Sequence, residues 1–320
     1  MRVVALVPGG IGDQILFFPT IDTIKRHYPK AQIDVVAEPR SKAAYRVSKS
    51  VSEVLAFDFQ DRNSLADWGN LVGTIRDREY DVAITLEQNW ASGLVLWLTG
   101  IPTRIGFQGK GSGFLTSKIS LNSEQYIAST YHNLVKGLGI TAPCPELTLD
   151  IPKPDIEWAS SEQKRLGIKD TGYVLIYGAN GQSSLGLNYL NNIYPPDNWL
   201  QIIQGFLQKQ PDMPLVVLAD VDNEQLVRTL KESMPNLKVT APDNIGKLSA
   251  MIAGANLMVC TESYAMHLSV AVQSFTIALF GDADPNRLLP KNDKFLAIKS
   301  STGKVADISS QTVLDKILGS

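Results

Sequence analysis

Residues 2–27, RVVALVPGGIGDQILFFPTIDTIKRH, decide the fold. The run 2–7 is almost continuously apolar, as strands covered on both faces of a parallel sheet are. A turn with Gly9, Gly10 and Gly12 follows, and 14–27 then has the length and pattern of a helix. The same alternation recurs outward from this unit. Strand-like runs stand at 33–37 (IDVVA), 82–86 (VAITL), 173–177 (YVLIY), 214–218 (PLVVL), 257–260 (LMVC) and 276–280 (TIALF), with helical patterns at 197–209, 222–233 and 246–254. Strand and helix alternating in this way predict a doubly wound α/β class.

A chain of 320 residues exceeds what one core usually serves, so two domains are expected. Pro143, Pro145, Pro152 and Pro154 crowd the stretch 141–154, which suits an extended connector. The predicted division is therefore 1–150 and 151–320. Val313, Leu314, Ile317 and Leu318 share one stripe behind a serine start, which predicts a terminal helix that could pack back on the N-terminal domain.

With 30 Lys and Arg against 32 Asp and Glu, the net charge is -2, so no global field favours nucleic acid or an anionic bilayer and any anion site must be local. No stretch approaches the roughly 18–20 apolar residues of a membrane span. The start reads as a strand entering a turn, not as a signal peptide, so a cytoplasmic protein is expected. Cys144 and Cys260 lack any ligand or disulfide spacing and are expected to be buried thiols.

The first glycine turn superficially matches a dinucleotide fingerprint, with Glu38 as the ribose-binding acid. Two residues oppose this. Ile15 stands where that motif needs a small residue, and the carboxylate of Asp13 occupies the helix start where a pyrophosphate would sit. Asp13 is either a helix cap or a general base at the carboxyl end of a parallel strand, where such sheets place their sites.

In the second half, strand 257–260 runs into Thr261, Glu262, Ser263, Tyr264, Ala265, Met266 and His267, then the apolar helix LSVAV. Hydroxyls and free N–H groups at a helix start make this the better phosphate cradle. TESYAMHLSVAV (261–272), followed by ALFGDADP (278–285) and Pro290, resembles the D-S/T-G-x-x-H-L-A-A-A … L-F-G-x-T-D-P … P signature of glycosyltransferase family 9, the ADP-heptose:lipopolysaccharide heptosyltransferases. Gly10-Ile11-Gly12-Asp13 with Leu16 and Pro19, then Tyr28-Pro29-Lys30-Ala31, resembles that family's opening. Tyr80-Asp81-Val82, Arg104-Ile105-Gly106-Phe107, and His132 ahead of Leu138-Gly139 continue the likeness in order.

The resemblance implies a GT-B fold, two Rossmann-like domains facing across a cleft, with acceptor on the first and nucleotide sugar on the second. It implies an inverting, metal-independent glycosyltransferase without a cofactor. Such an enzyme moves a heptose-like sugar from a nucleotide-diphosphate donor to a lipopolysaccharide-core or other lipid-linked envelope glycan. Asp13 matches the proposed base. Glu262, Ser263, Tyr264 and His267 fall at donor positions, and Gly12, Arg40, Arg104 and Lys110 are the acceptor-side candidates. The loop 106–118 carries Lys110, Lys118, Phe114 and Leu115, expected to be exposed, which suits peripheral contact with the inner face of a membrane. The structural alternatives are a dipole-complementing charge for Glu262, an N-cap for Ser263 and a core residue for His267.

The sequence departs from the family's pattern on the donor side. Where a Lys-x-Trp-Pro element would meet the phosphates, this chain has Asn192-Ile193-Tyr194-Pro195, and Tyr264 replaces a glycine. A lost charge-assisted contact is worth roughly 1.5–3 kcal/mol. Either Asn180, Gln182, Ser183 or Ser184 rebuilds the contacts for a different donor, or the protein is a non-catalytic relative that binds or assembles. A nicotinamide oxidoreductase and a GT-B epimerase are the remaining alternatives. Asp220-Val221-Asp222 and Asp282-Ala283-Asp284 superficially match a metal-binding DxD, but their positions after strands predict loop and cap roles.

Overall fold

The computed structural model describes residues 1–59, 64–178 and 193–319, which divide into two compact units, Met1–Thr148 and Leu149–Ser320. The first unit holds β1 (Arg2–Val7), β2 (Gln32–Ala37), β3 (Glu53–Ala56), β4 (Val82–Thr85), β5 (Thr103–Phe107) and β6 (Ser117–Ile119). All pairings are parallel, in the order β3-β2-β1-β4-β5-β6. The second holds β7 (Val174–Tyr177), β8 (Leu215–Leu218), β9 (Lys238–Thr240), β10 (Leu257–Thr261), β11 (Thr276–Phe280) and β12 (Phe295–Lys299). Its order, β12-β11-β10-β7-β8-β9, is the same winding repeated, again wholly parallel. In each sheet the chain proceeds outward in both directions from a central pair, β1 with β4 and β7 with β10. The carboxyl ends of the strands at such a reversal are the usual ligand position in open α/β sheets.

The central strands are the apolar runs read from the sequence, and Val3 through Val7 are essentially inaccessible. Helices cover them. In the first unit these are α1 (Ile11–His27), α2 (Leu65–Arg76), α3 (Trp90–Leu98) and α4 (Ile127–His132). In the second they are α5 (Lys153–Arg165), α6 (Pro196–Lys209), α7 (Glu224–Ser233), α8 (Ile245–Ala253), α9 (Tyr264–Ala271), α10 (Pro285–Leu288) and α11 (Ser310–Leu318). α1 is apolar around most of its circumference because it is enclosed by the sheet, by α4 and by the 3₁₀ segment Pro39–Val47. The prolines at 152 and 154 sit at the N-terminus of α5, where a missing N–H removes no helical bond.

Ser309 caps α11 as the serine start predicted, accepting from the N–H of Thr312. Its apolar stripe faces the core of the second unit. Val313 and Leu314 join the core of their own unit, and Leu314 lies against Gly205 of α6 so closely that a Cβ there would stand 2.6 Å from Leu314 Cδ2. The Tyr194 hydroxyl fastens the same terminal segment by donating to the carbonyl of Ile308 at 3.0 Å, with its ring edge-on to the fully buried Trp199. Cys260 is buried and its thiol is pushed up by desolvation, whereas Cys144 is only half-buried. Among the described residues no helix is long and apolar enough to cross a membrane.

Candidate active site

The first site is built by the turn after β1. Gly9 adopts φ +106°, a conformation that L side chains rarely reach, and this lets the backbone double back against the side chain of Asp13. Gly10 is the N-cap of α1 and has no side chain to cap with. Its own N–H instead donates to Asp13 Oδ2 at 3.0 Å, so the acid of the first turn closes the helix start from within. The turn is braced on its other side. Ser41 Oγ donates to the Gly9 carbonyl at 2.8 Å, Gln14 Nε2 donates to the Val7 carbonyl at 2.9 Å, and Tyr45 donates its hydroxyl to Gln14 Oε1 at 2.6 Å.

The second oxygen of Asp13 is met from a distant part of the chain. Tyr131, at the end of α4, donates its hydroxyl to Asp13 Oδ1 at 3.0 Å. α4 is held along α1 by the edge-on contact of Tyr131 with Phe17 and by a 2.9 Å bond between Thr23 Oγ1 and His132 Nε2. Only 5% of Asp13 is exposed. Desolvation therefore raises its pKa to about 7, against the lowering effect of the Tyr131 and Gly10 hydrogen bonds. A carboxylic acid that titrates near neutrality beside a strand's carboxyl end has the properties a general base needs. Glu38 belongs to no such site: it is buried and accepts from the N–H of Phe59 at 3.0 Å, so the dinucleotide reading loses its ribose acid.

In the second unit, Glu262, Ser263, Tyr264 and His267 come together where β10 passes into α9, beside β7 at the sheet's reversal. Ser263 occupies the N-cap position, but its Oγ turns back to the carbonyl of Thr261 at 3.1 Å and does not cap, so the first amides of α9 lack that acceptor. Glu262 is buried, with its N–H donated to Leu279. His267 is 3% exposed, and among the described residues its Nδ1 has no hydrogen-bond partner. Burial lowers its pKa to about 4, so the ring is neutral at pH 7.

Tyr264, which stands where the family pattern has a glycine, is held at the start of α9 by its hydroxyl. Its hydroxyl donates to Asp220 Oδ2 at 2.6 Å, Tyr177 donates to the same oxygen at 2.5 Å, and the two rings meet edge-on at 6.0 Å. Asp220 Oδ1 accepts from the N–H of Asp222. This carboxylate thus orders the carboxyl end of β8, while Asp284 caps α10 through Asn286. Among the described residues no group of three or more His, Cys, Asp or Glu side chains could hold a metal ion.

The other sequence candidates are dispersed. Asn180, Ser183 and Asn192, with Gln182 and Ser184, lie outside the described residues. Gly12 is buried in the first turn of α1, and Arg40 is exposed in the 3₁₀ segment. Arg104 staples β5 to the following loop, its guanidinium donating to the carbonyls of Phe114, at 2.8 Å, and of Ile101. Lys110 is exposed in that loop. Leu115, expected at the surface, is buried against Gly106 and belongs to the first unit's core. Phe114 is half-buried and leans on Trp97 of α3 at 6.3 Å.

Comparison with known proteins agrees with this architecture. An ADP-heptose lipopolysaccharide heptosyltransferase II structure from E. coli superposes with a TM-score of 0.80 at 18% identity, covering all of this chain and 98% of that one, which gives the fold as GT-B. A chloroplastic photosynthetic NDH subunit of subcomplex B 1 from Arabidopsis thaliana is 23% identical over 98% of this chain and 72% of its own length. Lipooligosaccharide heptosyltransferase 2 of Haemophilus influenzae is 21% identical over 96% of this chain and 91% of its own length. The model of glycosyltransferase family 9 (heptosyltransferase) matches residues 68–318, most of the chain, and the protein belongs to that family.

Proposed function

We propose that this glycosyltransferase moves a heptose-like sugar from a nucleotide-diphosphate donor to a lipopolysaccharide-core or related envelope glycan, with inversion and without a metal. The observation that carries the reading is Asp13, a buried carboxylate with a pKa of about 7 at the reversal point of the first sheet. In the reaction an acceptor hydroxyl oxygen bonds to the anomeric carbon as the bond from that carbon to the diphosphate breaks. The hydroxyl proton becomes acidic during this displacement and passes to Asp13, so the carboxylate acts most strongly in the transition state.

The diphosphate leaves with growing negative charge. The uncapped amides at the start of α9, with Ser263 and Tyr264, are suited to receive it, because donors fixed beforehand require no reorganisation. His267 is neutral there and can donate a hydrogen bond without adding a second charge. Glu262 is suited to accept from sugar hydroxyls. Asn180, Ser183 and Asn192 are assigned to the donor as replacements for the absent lysine. Gly12, Arg40, Arg104 and Lys110 are assigned to the acceptor.

A thermal-shift series with ADP-, UDP- and GDP-sugars tests the donor, since a ligand at 100 times its Kd adds ~2.7 kcal/mol. Stabilisation by one nucleotide sugar, and transfer that survives EDTA, is the expected result. No stabilisation by any of them together with no transfer would leave a binding or assembly protein with a GT-B fold. Transfer abolished by EDTA and restored by a divalent cation would overturn the metal-free reaction.

The acceptor side also suits a cytoplasmic protein working peripherally at the inner membrane face. α3 carries exposed Trp90 (59%), Trp97 (53%) and Leu98 (47%), with Phe114 and Lys110 beside them. Gly93 and Gly111 allow this loop to seat on α3, since a Cβ at Gly93 would stand 2.5 Å from the Gly111 carbonyl oxygen. Tryptophans with an adjacent cation favour an anionic interface. Lys110→Ala combined with Phe114→Ala and Trp97→Ala is expected to abolish co-sedimentation with phosphatidylglycerol vesicles. Equal sedimentation of wild type and variant would remove the membrane contact.

A further inference from the structure

We infer that Tyr131 is a positioning residue for the reaction, holding Asp13 ionised and aimed; this rests on the reading of Asp13 as the base. The two oxygens of Asp13 are fixed by different donors, Oδ2 by the N–H of Gly10 and Oδ1 by the hydroxyl of Tyr131. Each carboxylate oxygen has two acceptor sites, so the Gly10 and Tyr131 bonds do not by themselves exhaust the carboxylate's capacity. The Gly10 contact arises within the turn itself. The Tyr131 contact comes from α4, and it makes the orientation of the base depend on how α4 lies along α1.

The remaining groups around Asp13 cannot do the same work. The 3₁₀ segment Pro39–Val47 carries Arg40, Lys42 and Arg46 and brings Tyr45 near Asp13; the Tyr45 hydroxyl is given to Gln14 and its own ionisation is suppressed by burial and by the Asp13 charge. On α4 itself, His132 bonds Thr23 further along α1, and Lys136 lies beside His132 in the next segment. Buried Glu38 and Asp34, at β2, accept from Phe59 and Tyr80. Among the described residues no cation is found in the groups that set the ionisation of Asp13, and the Tyr131 hydroxyl is the principal side-chain contact there favouring its charged form. Without that bond burial acts with less opposition, and the carboxyl is protonated at a pH where the wild type is still a base.

Tyr131→Phe removes one oxygen and keeps the ring against Phe17. The acid limb of its kcat/KM pH profile is expected to rise by about one pH unit, a roughly tenfold loss at pH 6 that recovers above pH 9. Thr23→Val loosens α4 at the neighbouring bond while leaving the hydroxyl in place. It is expected to leave the limb unmoved, and a parallel loss at every pH in both variants would assign Tyr131 a merely structural role. A carboxyl ¹³C NMR titration of Asp13 reads the same contact without turnover, and an unchanged midpoint in Tyr131→Phe would overturn the inference. If the NMR midpoint rises but Asp13→Asn still transfers sugar, the contact stands and the assignment of Asp13 as base fails.

Discussion

Asp13→Asn is expected to lose at least 10² to 10⁴ in kcat, the contribution of a positioned general base, while nucleotide-sugar binding is retained. The same variant is expected to be more stable than the wild type at pH 8. The two effects have one cause. In the unfolded chain the carboxyl ionises near 3.8, and in the folded protein it resists ionisation until about pH 7. A raised carboxyl pKa contributes stability that is complete below the unfolded value and is lost as pH rises through the folded value. Three pH units of displacement correspond to ~4 kcal/mol at high pH. An amide never ionises, so it avoids this loss. It can still accept from Tyr131, but its NH₂ group opposes the Gly10 N–H, and the net gain at pH 8 should fall to about 1–2 kcal/mol. Urea unfolding from pH 4 to 8 measures the difference. It should be absent or reversed at pH 4, widen towards pH 7 and then level off, and parallel curves would show that Asp13 is not held neutral by burial. Loss of stability in exchange for reactivity is the usual signature of a strained or desolvated functional group.

The parts of this molecule legible in its sequence are those whose surroundings are uniform. β1, β2, β4, β7, β8, β10 and β11 are covered on both faces, and their apolar runs announce them. Four strands that carry no such signal, β3, β6, β9 and β12, are the sheet edges. Their sequences, EVLA, SKI, KVT and FLAIK, are short or interrupted by charge, as befits a strand that must not pair with another chain. β5 was hidden for a different reason. Its TRIGF carries Arg104, which serves backbone carbonyls nearby, and Gly106, which makes room for Leu115.

At the site, Asp13 could be found because its turn is local, and the resemblance supplied the region 261–267. Tyr131 could not. It lies 118 residues from its partner, in a six-residue helix with no marked pattern, and only the packing of α4 on α1 brings the two together. The pairing of Tyr177 and Tyr264 on Asp220 is hidden in the same way, because each member reads locally as an ordinary strand end, helix start or loop acid. Ser263 shows the converse limit. It stands at the N-cap position that its place in the sequence predicts, but the carbonyl of Thr261 takes its hydroxyl.

Gly9→Ala is expected to disable the protein through a single added methyl group. At φ +106° an alanine is strained by about 1–3 kcal/mol, and its Cβ would lie 2.4 Å from Asp13 Oδ2 and 2.9 Å from Asp13 Cγ. The carboxylate cannot step aside freely, because Gly10 holds one oxygen and Tyr131 the other. The backbone cannot relax freely either, since the Gly9 carbonyl accepts from Ser41 and the turn is pinned by Gln14. Whichever gives way, the base moves. A misplacement of about 1 Å is enough for a 10²-fold loss of rate, so turnover should fall at least that far while the unfolding midpoint also drops. Gly69→Ala is the matching control. It sits exposed in α2 with nothing within 4 Å of its added Cβ, and there the substitution should stabilise the helix by about 0.5–1 kcal/mol with no change in rate. If Gly9→Ala behaved like Gly69→Ala, the carboxylate would not be confined by the turn, and the close fit between the opening glycines and the base would have no part in the reaction.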